Sequence, residues 1–269
     1  MLSSCTLVCS ACSESAEEGL GTLTLTTWGE DYIEKQIPAS EVEGGASITF
    51  SRFLVALSEL KVADSSGVIG GEVKEQRVFD LVPAGPHELA VFTDIGAKRW
   101  DALSVRCAPA SGAVAGNASV DDVQLMNQRG LSVYVEGQLR PKTGSPLSFA
   151  WGFDVATHYE RCEDADGKLG VVVPTGGSAT AQLTIHGDHV FYDSLQGDAK
   201  LRVEALIAAD TDANGDISME ELAAVDLTTL PIDQYDTAGD GSVATLADFV
   251  RALSRTVVHF QGEGHCVSR

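Results

Sequence analysis

From Gly21 to about Leu195 the chain reads as short strand-forming runs, the first of them alternating, broken by Gly, Pro, Ser and Asn clusters. This pattern constrains the fold more than any other feature. Side chains two apart share one face of a strand, whereas a helix needs spacings of three and four. Leu23-Thr-Leu25-Thr-Thr-Trp28 is the clearest run, alternating and Thr-rich. Further strands are predicted at 46–63 (one long bent strand or two), 76–81, 88–92, 102–107, 131–138, 147–153, 170–173 and 179–185. Residues 121–127 read as a short helical connection. So many short strands, without long helical runs between them, favour an antiparallel β-sandwich over a βαβ fold.

The period changes at Asp198. Leu201, Val203, Leu206 and Ile207 have helical spacing, as do Leu246, Phe249, Val250, Leu253 and Val257. Between them lies Asp210-Thr-Asp212-Ala-Asn214-Gly215-Asp216-Ile217-Ser218-Met-Glu-Glu221. A hard cation such as calcium takes six to eight oxygens, and a twelve-residue loop supplies them from positions 1, 3, 5, 7, 9 and 12. Asp210, Asp212 and Asn214 fill the first three, Asp216 offers its carbonyl, Ser218 sits at position 9 and Glu221 closes the loop. Gly215 falls where the chain must turn sharply. A weaker loop follows, with Asp236, Asp240 and Ser242 as candidate ligands but Ala238 at position 3 and Ala247 at position 12. Residues 198–258 resemble the EF-hand family on these loops. The resemblance implies calcium as ligand and a compact loop pair, joined through Ile217 and Val243. The expected organisation is a leader (1–20), a β-sandwich (21–196), and an EF-hand pair with its tail (197–269).

Charge supports this division. The chain has 39 acids against 18 bases and a formal net charge of −21. Eight acids stand between Ser13 and Glu43 against Lys35 alone, and eleven stand between Glu204 and Val250 with no base. The middle of the chain is therefore close to neutral, and the C-terminal acids coincide with the loops. An overall negative surface argues against nucleic-acid binding and against docking on anionic lipid through a basic face. The membrane is then reached only through a lipid. Ser10-Ala11-Cys12 has the small-small-Cys ending of a bacterial lipobox, with Cys9 where an aliphatic residue is usual. The N-terminus reads as a shortened export signal acylated at Cys12, which implies a periplasmic or outer-membrane location. With Cys5 and Cys9 in the signal, Cys107, Cys162 and Cys266 remain, enough for one disulfide and a free thiol. Cys162 and Cys266 lie in polar loop sequence that suits a staple, although spacing alone does not fix the pairing.

Four histidines fall late: His186 and His189 in one segment, His259 and His265 in another. Imidazoles recruit copper or zinc. His186 and His189 point oppositely on a regular strand, but Gly187 permits a turn that brings them together. The competing reading is a set of hydrogen-bonded histidines locking the C-terminal unit to the body. No nucleophile elbow, phosphate loop or His-Glu-x-x-His is present, so the sequence favours a binding protein over an enzyme. Trp28–Pro38, Thr49–Val55, Phe149–Tyr159 and the histidine segments resemble uncharacterised bacterial envelope lipoproteins. Trp151-Gly-Phe153-Asp154 within the strand order is distantly similar to MbnP-like copper-associated β-sandwich proteins. That similarity implies a transition metal at the histidines.

Overall fold

A computed structural model describes residues 19–231 and 234–269. The proposed acylation residue Cys12, with Cys5 and Cys9, lies outside the described residues. The strands are β1 (Leu20–Trp28), β2 (Ser47–Ala63), β3 (Ile69–Val73), β4 (Arg77–Asp80), β5 (His87–Gly96), β6 (Arg99–Trp100), β7 (Ala102–Cys107) and β8 (Val114–Ala115). They continue as β9 (Val133–Arg140), β10 (Leu147–Phe153), β11 (Thr157–Glu163), β12 (Val171–Val172), β13 (Ser178–Ile185), β14 (Asp216–Ile217), β15 (Val258–Phe260) and β16 (His265–Ser268). The helices are α1 (Glu30–Glu34), α2 (Val120–Arg129), α3 (Glu204–Ala208), α4 (Met219–Ala224) and α5 (Leu246–Leu253). The protein is mainly β.

Two sheets carry most of the structure. One runs β15-β13-β1-β5; the other runs β14-β10-β9-β2-β7-β11-β16, with β3, β4 and β8 attached beside β2. Alternation puts Leu23 and Leu25 of β1 and Leu183 of β13 inward. There they share one core with Phe53 and Val55 of β2 and Trp151 of β10. Burial of each such side chain contributes about 1.5–3 kcal/mol. The 46–63 segment is a single strand, bent where its register with β9 shifts between Phe50 and Arg52 and its register with β7 shifts between Ser58 and Lys61. Those bulges let its two halves serve different neighbours. The helical connection also forms, as α2, capped by the Ser119 hydroxyl and ended by Gly130 at φ +59°.

The pairing is not uniformly antiparallel. β1 runs parallel to β13 along seven residue pairs, and β14 runs parallel to β10. Hydrophobic alternation selects which face is buried but carries no information on strand direction. β11 and β16 were not anticipated; β11 exposes His158 and Arg161, β16 is only four residues long, and neither has a dense β-branched run. The Cys162–Cys266 disulfide joins them. Among the described residues, Cys107 is the free thiol. It is buried, and burial pushes its pKa up to about 12, so it remains protonated.

The C-terminal part departs furthest from expectation. Leu201 does not join a helix: its carbonyl accepts from the Glu43 N–H at 2.8 Å, and it bridges to Val42 and Tyr192. The helix is reduced to α3. The last helix stops at Leu253, and the chain beyond it becomes β15, which pairs Ile185 with Val258 and Thr184 with His259. Ile217 does not pair with Val243. β14 adds to the edge of β10 (Phe149 opposite Ile217), and the Trp151 indole donates to the Ile217 carbonyl at 2.7 Å. A sheet edge with an indole donor satisfies that short strand better than a second loop offering only turns.

Candidate metal centre

β13 ends at Ile185 and delivers His186 to the end of the smaller sheet. Gly187 then lies so close to the core that a Cβ there would stand 2.5 Å from Ile33 Cγ1 and 3.0 Å from Phe50. The following 3-10 turn, Asp188–Phe191, buries Val190 and Phe191. Phe191 sits among Phe50, Phe149 and Trp151, with ring centroids 5.7–6.1 Å away. That anchoring turns His189 back toward His186. β15 supplies His259 from the adjacent strand.

The three rings converge. His186 and His259 stack with centroids 4.1 Å apart, and His189 meets them edge-on at 5.3 and 4.8 Å. One ring nitrogen from each lies within 4.8 Å of the other two. His186 Nε2 and His259 Nδ1 are buried and have no hydrogen-bond partner. For His189 the tautomer follows from its surroundings. The Thr256 hydroxyl donates to the Leu253 carbonyl at 2.9 Å, so at 2.8 Å from His189 Nδ1 it accepts the imidazole N–H. Nε2 is left with a free lone pair. Burial, then the neighbouring His259 and His186, holds His189 well below the usual histidine range; burial and His186 push His259 down to about 3. Both are neutral at physiological pH, the state in which imidazole binds metal.

The surrounding groups complete the picture. Tyr192 leans over His189 and donates its hydroxyl to Asp188 Oδ2 at 2.8 Å. Burial raises the Asp188 carboxyl, and burial with the facing Asp188 raises the Tyr192 hydroxyl. An open cavity of about 630 Å³ reaches the histidines, with Glu30, Asp188 and Glu263 also on its wall. Glu30 and Glu263 were missed in the sequence, where they read only as acids in acidic or Gly-rich segments. His265, on β16, is exposed; its ring is 5.2 Å from His259 and stands outside the three-histidine group.

The 210–221 loop forms a second candidate centre, beside β10, with which its short strand β14 pairs. Asp210, Asp212 and Glu221 each bring a carboxylate oxygen within 4.8 Å of the others. Gly215 turns the chain at φ +83°, as position 6 demands. The Asn214 N–H donates to both Asp210 and Asp212, and Asn214 Oδ1 accepts from the Asp216 N–H. Ser218 caps α4 and donates to Glu221 Oε2, while Glu221 Oε1 is buried with no partner. The Asp216 side chain is turned to Ser148 on β10.

The weaker loop does not assemble this way. Asp236 accepts from Gln196, and Asp240 accepts from Ser242; neither joins a ligand group among the described residues. Asp248 is held by Thr245 and caps α5. No family model, curated protein or solved structure matches this chain.

Proposed function

We propose that the protein binds a transition-metal ion, copper or zinc, at the centre formed by His186, His189 and His259. The observation that carries this reading is the pair of buried, unpartnered ring nitrogens beside a third nitrogen freed by Thr256. Leaving a buried polar atom unsatisfied costs about 1–3 kcal/mol. A metal would satisfy all three nitrogens at once, and imidazole ligands suit copper and zinc. The competing assignment, histidines as a hydrogen-bonded lock, would leave those nitrogens without the bonds it requires. The function is binding and carriage of the ion, in an exported protein whose fold we read as a β-sandwich. A disulfide is at home in an oxidising compartment, and the loose likeness to copper-associated β-sandwich proteins points the same way.

Protein purified without chelator should carry close to one equivalent of copper or zinc by elemental analysis. The double variant His186→Ala/His189→Ala should lose it while keeping its circular dichroism spectrum. Wild-type protein that takes up neither ion would refute the assignment.

A second ion is proposed for the 210–221 loop, on the separate ground of the unpartnered Glu221 Oε1. Calcium there would be structural, because β14 and the Trp151 indole tie the loop to β10. Extracellular calcium modules bind with dissociation constants of about 10⁻⁴–10⁻³ M. Calorimetry should find one calcium site, abolished by Glu221→Gln and unaffected by the histidine variant. This loop is an EF-hand in our reading, standing alone rather than in a functional pair with 236–247.

A further inference from the structure

Beside the three-histidine centre lies a second group of ligand atoms. Glu30 lines the same cavity from the start of α1, with φ +55°, a left-handed backbone that a non-glycine residue keeps only where its surroundings impose it. Its Oε2 lies 3.7 Å from His186 Nε2. That is too long for a hydrogen bond, yet both atoms can reach one ion at about 2.0–2.2 Å each. Glu263 approaches the same pair from the turn between β15 and β16. This turn is tied to β13: the Thr184 hydroxyl donates to the Gly262 carbonyl, and the Gln261 N–H donates to the Gln182 carbonyl, both at 2.9 Å. One ligand atom each from Glu30, His186 and Glu263 lies within 4.8 Å of the other two, in a set that contains neither His189 nor His259. Two observations favour a cation there. His186 is only 7% exposed, and its Nε2 is buried and unpartnered. Two carboxylates so close repel one another unless positive charge lies between them.

We propose that Glu30, His186 and Glu263 form a separate, outer cation position, for a hard or borderline divalent ion such as Mn²⁺, which shares His186 with the three-histidine centre. Carboxylate and water ligands suit Mn²⁺, whereas a set of three imidazoles suits copper or zinc. The outer set opens on the cavity, so water can fill the rest of the shell. This position stands on its own three ligand atoms. Its coupling to the inner centre rests on the reading above, in which the same His186 Nε2 serves the three histidines. One lone pair holds one ion at a time, so a filled inner centre empties the outer position.

The test uses the full chain carrying Glu221→Gln, which keeps the 210–221 loop out of the titration. Mn²⁺ uptake is read from the loss of its free-ion electron paramagnetic resonance signal, and Cu(I) uptake by anaerobic competition with a chromophoric chelator. One Mn²⁺ should bind. Glu30→Gln and Glu263→Gln should each weaken it by about 10-fold or more, the scale on which even supporting groups of metal sites act. Both should leave Cu(I) nearly unchanged. Glu30→Asp, which keeps the carboxylate, should restore part of the Mn²⁺ affinity. His189→Ala/His259→Ala should do the reverse, keeping Mn²⁺ and losing Cu(I), with thermal unfolding of each apo variant confirming that it is folded. One equivalent of Cu(I) should release the bound Mn²⁺ from the unaltered sites. No uptake of Mn²⁺, or uptake that survives either carboxylate change, would overturn the outer position. Mn²⁺ retained beside bound Cu(I) would overturn the sharing of His186. If His189→Ala/His259→Ala keeps its Cu(I), the three-histidine reading falls and the outer position is judged on Mn²⁺ alone.

Discussion

Gly187 is glycine for want of room. Its backbone, at φ −73° and ψ −24°, is open to any residue, but a methyl group there would press into Ile33 and Phe50. Ile33 belongs to α1, the helix that starts at Glu30, so a push at Gly187 is felt on both walls of the histidine centre. Gly187→Ala should cost about 1–3 kcal/mol in urea unfolding, the usual cost of overpacking. It should also weaken metal binding in the folded protein, as read by chelator competition. A variant with wild-type stability would show that the contact yields freely. Much of the residue-level chemistry was legible in advance. The sequence allowed a turn at Gly187 that brings His186 and His189 together, and the carboxylates of the 210–221 loop follow from residue type and spacing, but the want of room at Gly187 shows only in the fold. Glu30 was not legible, because what distinguishes it is a backbone dihedral and a neighbour far away in sequence.

At the scale of elements, alternation located most strands of the body and missed those held by their neighbours. β11 alternates buried Thr157, Tyr159 and Cys162 with exposed polar residues, and its Tyr159 hydroxyl donates to the Arg255 carbonyl. The short β15 and β16 have no pattern of their own; they are strands because β13 and β11 offer open edges. Helical spacing over-reached for the same reason, since Leu201 and Val258 find strand partners that outbid a helix turn. The Cys162–Cys266 bond fixes β16 to β11 across a sequence separation of 104. Removing it frees a long loop in the unfolded chain, with an expected cost of about 2–5 kcal/mol. Cys162→Ser/Cys266→Ser should therefore unfold at lower urea. Hydrogen exchange should rise first in β16, beside His265, and only later in β13. Unchanged stability would mean that pairing alone holds β16.

On the scale of the whole molecule, charge and core are arranged differently. The acids gather in a few places, notably the two candidate ion sites, while most buried apolar residues form one cluster from Leu23 and Leu25 to Phe249 and Val258, with a smaller one around Leu54, Met126 and Tyr134. The two sites are linked through the larger cluster by Trp151 and Phe191: the indole bonds the Ile217 carbonyl, and Phe191 holds the turn that presents His189. Composition indicated the acidity of the chain. The common core was not visible in the sequence, because the change of period at Asp198 looks like a boundary and the packing across it does not.

The parallel pairing of β1 with β13 has a consequence for when the histidine cluster forms as well as for where its residues lie. β1 leads into Glu30, β13 leads into His186, and His259 arrives on β15, which is made long after both. His259 is made more than seventy residues after His186, and the smaller sheet must close before the three nitrogens meet. Before those strands pair, the three histidines are scattered along the chain; their convergence is a property of the folded sheet and of no single segment.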